Sequence, residues 1–372
     1  MTVRRQLVNF GTTCTDYRVG DSVMDDLPRI LKNVVGAPKR ALVALDGSSE
    51  QTTDDAVRRA LVDIGFEVFR YEAADDGGLE GFDAAGRLLA AFAERGLTAD
   101  DLVVAVGGVR LCSVVSLAAG LWCDGMSCAA IPQTLDAMCT LTTAMRPLSV
   151  GGVDEVVSAR PRWDMVVCDL TRVLGRPVEE LGAGYVTMLG TALAESRRAW
   201  DQFPERIEGM VAGDAVAFTE ALCKTQGARA GAIRSASPSA RTALGYGAST
   251  ARALASCLGP GIPWYRLLAE GMRFEARLGH DVCDLDVDVI FEQDDRLEDL
   301  GVEEVPFELD ADRFVSALKA DRFLRSNRFM LSLPKRPGTI RLSSVDDEVL
   351  ARHAEAFLAS RAELLAETGA GN

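Results

Sequence analysis

A buried strand, a turn of two glycines and an apolar helix follow one another in this chain, and that order limits the fold more than any other feature. Residues 102–106 form a continuous apolar run, Gly107 and Gly108 follow, and an apolar segment covers residues 111–122. Glycine lets backbone approach a neighbour closely, and the first amides of a helix favour an anion. The segment therefore predicts a strand–turn–helix unit that can hold a phosphate group. The competing interpretation is a tight turn that binds nothing.

The first half of the chain alternates between strand and helix patterns, which is typical of a parallel sheet with helices on its faces. Apolar runs at residues 40–45 and 66–71 predict strands, and residues 53–64 and 82–95 carry helical spacing. We therefore predict an α/β fold whose N-terminal domain, residues 1–176, is a parallel-sheet dinucleotide-binding-like domain.

Long helical patterns dominate after Pro177. They cover residues 178–200, 206–225, 240–257 and 264–278. Prolines and glycines lie near their predicted starts and stops. We therefore predict a C-terminal, mainly α-helical domain over residues 177–372.

Composition excludes several classes of protein. The chain carries 55 acidic against 40 basic side chains, a formal charge of −15. This charge opposes binding to nucleic acid or anionic lipid. Nine cysteines without a Cys-x-x-Cys pair indicate reduced thiols in the core, and the N-terminus lacks the apolar region of a signal peptide. We expect a cytoplasmic protein with a small-molecule ligand and no nucleic-acid or membrane partner.

Five short segments follow one another along the chain. They are Asp101-Leu-Val-Val-Ala-Val-Gly-Gly108, Ile131-Pro-Gln-Thr-Leu135, Arg160-Pro-Arg-Trp-Asp-Met-Val-Val-Cys-Asp169, Ala243-Leu-Gly-Tyr-Gly-Ala-Ser-Thr-Ala251 and Ala269-Glu-Gly-Met272. Their order resembles the 3-dehydroquinate synthase family of sugar-phosphate cyclases. The resemblance spans roughly residues 17–357. It implies a dehydroquinate synthase-like fold, NAD as the cofactor, and a C-terminal domain that carries the metal and substrate site.

The resemblance also places the family's metal ligands, one Glu and two His, at Thr187, Tyr246 and Trp264. A Thr hydroxyl and a neutral phenol are poor zinc ligands, and an indole N–H has no lone pair to donate. We therefore expect no zinc or other divalent metal.

Residues for phosphate binding and proton transfer are substituted in the same way. By resemblance the catalytic positions are Thr140, Arg146 and Asp124, and Asp124 stands where the family has an arginine. An acidic side chain repels a phosphate. A solvated loop aspartate is the plainer interpretation of Asp124.

The candidate cofactor-binding residues are Asp46, Gly107, Gly108 and Thr134. Asp46 follows the first predicted strand, where a carboxylate can accept a hydrogen bond from an adenosine ribose hydroxyl. A turn or helix-capping aspartate is an equally good interpretation of Asp46.

Three functional hypotheses follow. The first is a dehydroquinate synthase-like pseudoenzyme that has lost the cyclase reaction, still binds NAD or a sugar-like ligand, or supports a homologous partner subunit. The second is an NAD-dependent enzyme with metal-independent chemistry on a polyol or keto acid. The third is an active synthase of aromatic amino-acid biosynthesis. The resemblance implies a homodimer or a heterodimer with a homologue.

Overall fold

The computed structural model describes residues 3–11, 13–35, 39–73 and 78–369. The chain forms two compact units. The first comprises Met1–Arg176 and Ala212–Ala230, and the second comprises Pro177–Val211 and Gly231–Asn372. One boundary between these units lies between Arg176 and Pro177. No sequence pattern indicates that Ala212–Ala230 groups with the first unit.

Strands and helices alternate in the first unit. In chain order they are β1 (Arg4–Asn9), β2 (Cys14–Gly20), α1 (Leu27–Val35), β3 (Arg40–Leu45), α2 (Gln51–Asp63), β4 (Glu67–Glu72), α3 (Asp83–Glu94), β5 (Leu102–Gly107), α4 (Val109–Leu121), β6 (Ser127–Pro132), α5 (Leu135–Thr140), β7 (Leu148–Val150), β8 (Val153–Val157) and β9 (Met165–Asp169). Seven of the strands form one sheet in the order β1-β2-β9-β6-β5-β3-β4, and β7 and β8 form a separate hairpin.

The sheet is parallel except for the edge pair β1 and β2. All six residues of β5 are buried, as expected for a central strand covered on both faces. Helices α1 and α2 pack over β3 and β5 through a cluster that includes Leu31, Val57, Val43 and Val104. Because parallel strands end at the same edge, the carboxyl ends of β3, β4, β5 and β6 lie side by side there.

The second unit is mainly helical, as the sequence predicts. Its elements are α6 (Val178–Glu195), α7 (Arg197–Asp201), α8 (Phe203–Val211), the end of α9 (Ala215–Arg234), α10 (Pro238–Thr242), α11 (Ala248–Leu258), α12 (Trp264–Cys283), α13 (Val287–Asp299), α14 (Ala311–Arg325), the hairpin β10 (Met330–Arg336) and β11 (Thr339–Ser344), and α15 (Asp347–Gly369). Its core is a cluster around Leu254, Phe274, Phe314, Leu331 and Phe357. The predicted fold class is therefore confirmed.

Three of the predicted long helices are each divided in two. The segment 240–257 breaks between α10 and α11, where Gly247 has a φ of 79°. The segment 178–200 breaks at Ser196, which is extended (φ −170°, ψ 161°) and caps α7 by accepting from the Ala199 amide at 3.0 Å. The segment 206–225 breaks at Gly213, whose φ of 76° lies in the left-handed region. Residues that cap or permit positive φ can end a helix even where the apolar spacing continues. Among the described residues, no helix is long and apolar enough to cross a membrane.

Candidate functional site

The glycine turn, Gly107-Gly108, lies directly against the Asp46 carboxylate. The Gly108 amide donates to Oδ2 of Asp46 at 2.9 Å, and the Ser48 amide and hydroxyl donate to Oδ1 at 3.0 and 2.5 Å. A Cβ atom at Gly107 would lie 2.7 Å from both Asp46 oxygens. Only glycine fits that contact without displacing the carboxylate. The Asp46 carboxylate therefore stabilises the glycine turn.

The N-terminus of α4 opens beside this turn. Gly108 is extended and precedes the helix, so α4 begins at Val109, two residues earlier than predicted. The first amides of a helix have no acceptor within it, and they attract an anion. A Cβ atom at Gly108 would lie 3.6 Å from Asp46 Oδ2 and 4.0 Å from Thr134 Cγ2. The structure thus brings the four candidate cofactor residues together, and their binding role stays a prediction.

Arg110 is a charged group near this turn that the sequence analysis missed. It lies in the first turn of α4, where the positive end of the helix dipole disfavours a cation. Its Nη2 atom is 3.3 Å from Glu80 Oε1 and 3.8 Å from Glu155 Oε1. The sequence could have indicated Arg110, because it is a basic residue in the first turn of a predicted helix, directly after two glycines.

A cavity of about 260 Å³ opens beside Asp46, and we call it the β3–β4 cavity. Its walls include Leu45, Asp46, Glu50, Asp54, Arg70 and Glu72, from the ends of β3 and β4 and the start of α2. Four of these side chains are acids and one is a base. Clefts at the carboxyl ends of strands are the usual ligand sites of open α/β sheets.

Thr140 and Arg146 are each engaged within the first unit. The Thr140 hydroxyl donates to the Asp136 carbonyl at 2.8 Å, within α5. Arg146 Nε donates to Glu155 Oε1 at 2.7 Å, and the Arg146 amide donates to the Ser113 hydroxyl at 2.7 Å. The cation at this family position is therefore already neutralised by a carboxylate.

Asp124 is not brought together with Thr140 and Arg146. It is exposed, has a left-handed φ of 64°, and precedes β6, whose first residue pairs with the first residue of β5. It therefore lies at the amino edge of the sheet, opposite the glycine turn. Its assigned role stays a prediction.

Helix α9 adds two buried polar side chains to the first unit that the sequence analysis also missed. Gln226 Nε2 donates to the carbonyl oxygens of Met138 and Cys139 at 2.7 and 3.0 Å. Arg229 Nε donates to the Thr143 hydroxyl at 3.0 Å, and burial lowers the pKa of its guanidinium. These contacts fix the chain that follows α5. In the sequence, only the presence of polar residues within a helical apolar pattern could have indicated that these two side chains are buried.

The three family metal positions lie in the second unit. Tyr246 is 4% exposed, and its hydroxyl lies 2.8 Å from the Met272 carbonyl oxygen and 2.8 Å from Gln293 Oε1. Burial raises the pKa of this phenol well above its ordinary value of 10, so the phenol stays neutral. Thr187 lies on α6, and Trp264 starts α12 and packs against the helical core. These positions supply neither a carboxylate nor an imidazole.

Glu275 on α12 is a buried carboxyl that the sequence did not indicate. It accepts from the Gly247 amide and the Thr250 hydroxyl, each at 2.8 Å, and is 1% exposed. Burial raises its pKa to about 7, although these donors and Arg252 oppose the change. Glu275 therefore changes charge near neutral pH.

A group of arginines surrounds Asp321 in the second unit, and we call it the arginine cluster. Arg252 donates to both Asp321 oxygens at 2.8 and 3.1 Å, and Arg325 donates to Oδ1 at 2.7 Å. Arg322 lies next to Asp321 in sequence, and burial lowers the pKa of its guanidinium. The cluster carries a positive excess, which suits an anion.

Comparison with known proteins agrees with this architecture. No family model matches the chain. It is 22% identical over 292 residues to a 3-dehydroquinate synthase of Sulfurisphaera tokodaii, covering 76% of this chain and 83% of that one. The chain is therefore similar in sequence, at low identity, to proteins named 3-dehydroquinate synthase.

Two solved structures share the dehydroquinate synthase-like fold of this chain. A 2-deoxy-scyllo-inosose synthase complexed with carbaglucose-6-phosphate, NAD⁺ and Co²⁺ gives a TM-score of 0.81 at 13% identity, covering 95% of this chain and all of that one. ValA, a 2-epi-5-epi-valiolone synthase of Streptomyces hygroscopicus subsp. jinggangensis with NAD⁺ and Zn²⁺ bound, gives 0.79 at 16% identity, covering 94% and 97%.

These structures contradict one expectation from the sequence. We expected no zinc or other divalent metal, yet two proteins of the dehydroquinate synthase-like fold hold Co²⁺ or Zn²⁺ together with NAD⁺. A metal therefore accompanies NAD⁺ in both of those proteins. Within the described residues, no three His, Cys, Asp or Glu side chains group so that they could hold a metal ion. Thr187, Tyr246 and Trp264 do not fit the usual donor set, because zinc sites use thiolate, imidazole and carboxylate groups.

Proposed function

We propose that this chain is an NAD⁺-binding protein of the dehydroquinate synthase-like fold that does not perform the phosphate-eliminating cyclisation. The packing of Asp46 on the glycine turn beside the β3–β4 cavity supports the proposal that the chain binds NAD⁺. The glycine turn gives a pyrophosphate access to the backbone. The cavity then takes the adenosine. The NAD⁺ found in two structures of this fold supports the same choice of ligand.

The pyrophosphate and the ribose of NAD⁺ need different groups on the protein. The first amides of α4 provide positive charge for the pyrophosphate. The carboxylates of the cavity provide acceptors for ribose hydroxyls. When bound, NAD⁺ supplies a hydride acceptor for an alcohol carbon. The chain's own groups serve to bind and orient it.

The second part of the proposal rests on the pairing of Arg146 with Glu155 at 2.7 Å. An arginine that already has a carboxylate partner must lose that partner before it binds a substrate anion. Exchanging one charged partner for another yields little net free energy.

An active cyclase or NAD-dependent oxidoreductase with altered residues is the second candidate function. The arginine cluster favours it, since Arg252, Arg322 and Arg325 outnumber Asp321. A phosphate or carboxylate of a sugar-derived substrate would suit this charge.

One set of measurements separates these candidates. Calorimetric titration with NAD⁺ tests whether the chain binds the cofactor. A second assay tests whether the chain catalyses the cyclisation. It measures 3-dehydroquinate formed from the seven-carbon keto-acid sugar phosphate with NAD⁺ and added Zn²⁺ or Co²⁺, and elemental analysis reports the metal content of the same sample. We expect NAD⁺ binding without product. Product at a rate like that of a parallel 3-dehydroquinate synthase control, or growth of a synthase-deficient auxotroph, would establish the active alternative.

A further inference from the structure

Helix α13 has an exposed side that combines acidic and apolar residues, and we call it the acidic face. Its exposed residues recur every three or four positions, so they lie along one side of the helix. They are Val287, Asp288, Phe291, Asp295, Glu298 and Asp299. Phe291 is 60% exposed and Val287 is 44% exposed, whereas Ile290 and Leu297 on the opposite side are buried. The acidic face thus leaves an aromatic ring in water, surrounded by carboxylates.

The C-terminal end of α14 carries a second exposed apolar group, this one beside basic residues, and we call it the basic face. It consists of Phe323, Leu324 and Arg328, all of them exposed. Phe323 is 54% exposed and Leu324 is 50% exposed, and the Phe323 ring centroid lies 6.4 Å from that of Phe329. Two members of the arginine cluster lie in the last turn of the same helix. The basic face therefore combines apolar side chains with an excess of positive charge.

The two faces are complementary in both charge and polarity. The acidic face sets carboxylates around Phe291, and the basic face sets arginines beside Phe323 and Leu324. Both faces are exposed in the folded chain, so neither covers the other within one molecule. Phenylalanine and arginine are enriched at protein interfaces, where an aromatic anchor is buried and charged groups surround it.

The net charge of the chain limits which contacts between two copies are favourable. The chain carries a formal charge of −15, so two copies repel each other unless their contact pairs opposite charges. Two acidic faces in contact would add to this repulsion. An acidic face against a basic face places carboxylates beside arginines and removes the exposed aromatic rings from water.

We propose that the partner of the acidic face is a second copy of this chain, which docks through its basic face. Phe291 of one copy packs against Phe323 and Leu324 of the other, and Arg328 pairs with the carboxylates beside Phe291. The contact joins two unlike surfaces, and each copy carries both of them. This inference is independent of the proposed NAD⁺ binding, because both faces belong to the second unit.

Analytical ultracentrifugation of the full chain over a range of concentrations tests this contact. We expect reversible self-association that weakens about 10-fold or more when NaCl is raised from about 0.05 M to about 0.5 M, because salt screens attraction between exposed charges. Phe291→Lys and Phe323→Asp should each weaken the association about 30-fold or more, since each removes an aromatic anchor and sets like charges against each other. Leu121→Asp is the matched control, because Leu121 is 54% exposed on α4, outside both faces. It should leave the association unchanged.

A mixture of the two variants tests whether the unlike faces meet. The Phe291→Lys copy keeps its basic face and the Phe323→Asp copy keeps its acidic face, so one intact contact can form between them. We expect the mixture to form a complex containing one copy of each, which neither variant forms alone. Thermal denaturation checks folding, and both variants should melt with the unmodified chain because each replaces an exposed side chain.

Three results would overturn the proposal. An unmodified chain that stays monomeric at every concentration would show that the acidic face does not bind a second copy. Self-association that survives both substitutions would place the contact between copies on another surface. Two variants that each stay monomeric and do not combine on mixing would show that the acidic and basic faces are not partners.

Discussion

The Asp46 carboxylate occupies the space that a side chain at Gly107 would need. A Cβ atom there would lie 2.7 Å from both carboxylate oxygens, whereas one at Gly108 would lie 3.6 Å from the nearer oxygen. A contact under 3.0 Å forces a displacement, and one near 3.6 Å is ordinary van der Waals contact. Gly107 therefore has no room for a side chain, whereas Gly108 has room for a methyl group.

This difference predicts the effect of adding a single methyl group. Gly107→Ala should push Asp46 away from the Gly108 amide, lower the free energy of unfolding by about 1–3 kcal/mol and weaken NAD⁺ binding about 10-fold. Gly108→Ala is the matched control and should cost less than about 1 kcal/mol. Chemical denaturation and calorimetry measure both quantities. Equal effects of the two substitutions would show that the Asp46 contact does not control the site.

The acidic lining of the β3–β4 cavity predicts a preference for NAD⁺ over NADP⁺. Asp54 and Glu72 repel a 2′-phosphate, and Glu72 also holds Arg70 at 2.8 Å. Glu72→Gln should remove one repelling charge and release Arg70, so that NADP⁺ affinity rises about 10-fold relative to NAD⁺.

Glu67→Gln is the control for that substitution. Glu67 begins the same strand, is exposed, and pairs with Arg40 at 3.3 Å, at the opposite end of β4 from the cavity. It should leave the ratio of the two dissociation constants unchanged. A shift of the same size in both variants would indicate a general charge effect and no specific role of Glu72.

The buried carboxyl of Glu275 predicts a dependence of stability on pH. Its pKa is about 7 in the folded chain against an ordinary 4.5, so the folded state binds its proton more tightly. Its contribution to stability is complete below pH 4.5, falls as the pH rises, and is lost above about pH 7. The loss is roughly 3 kcal/mol, at about 1.4 kcal/mol per pH unit.

Glu275→Gln isolates this contribution because the amide does not titrate. We compare the free energies of unfolding of the unmodified chain and of the variant. The difference, unmodified minus variant, should decline between pH 4.5 and 7 and stay constant above pH 7. Urea denaturation at several pH values measures it. A difference that stays constant over the whole range would mean that Glu275 titrates in the folded chain as it does in water.

The pairing of Arg146 with Glu155 predicts a gain of anion binding on mutation. Glu155→Gln should remove the charge that the Arg146 guanidinium contacts at 2.7 Å and tighten the binding of inorganic phosphate about 10-fold. Arg146→Met in the same background should abolish the gain. Calorimetric titration with phosphate measures it, and unchanged affinity in Glu155→Gln would show that this pair does not limit anion binding.

Local patterns were sufficient to predict the fold class. The apolar run at residues 102–106 and the two glycines after it predict β5, its turn and α4, because strand burial and turn formation depend on neighbouring residues. Where a single residue overrides the pattern, as Gly213 and Ser196 do, the prediction of helix ends was wrong. The candidate cofactor residues were found because each lies at the end of a predicted strand or turn.

What the sequence alone determined is therefore the alternation of strands and helices, the glycine turn and the likeness to 3-dehydroquinate synthase. Only the tertiary structure decided that Asp54 is buried at a cavity wall beside Arg70, that Tyr246 points at Met272 and Gln293, and that Gln226 and Arg229 fix the chain after α5. These are pairings between residues far apart in the chain. Their energies depend on burial and geometry, which spacing along one chain does not encode.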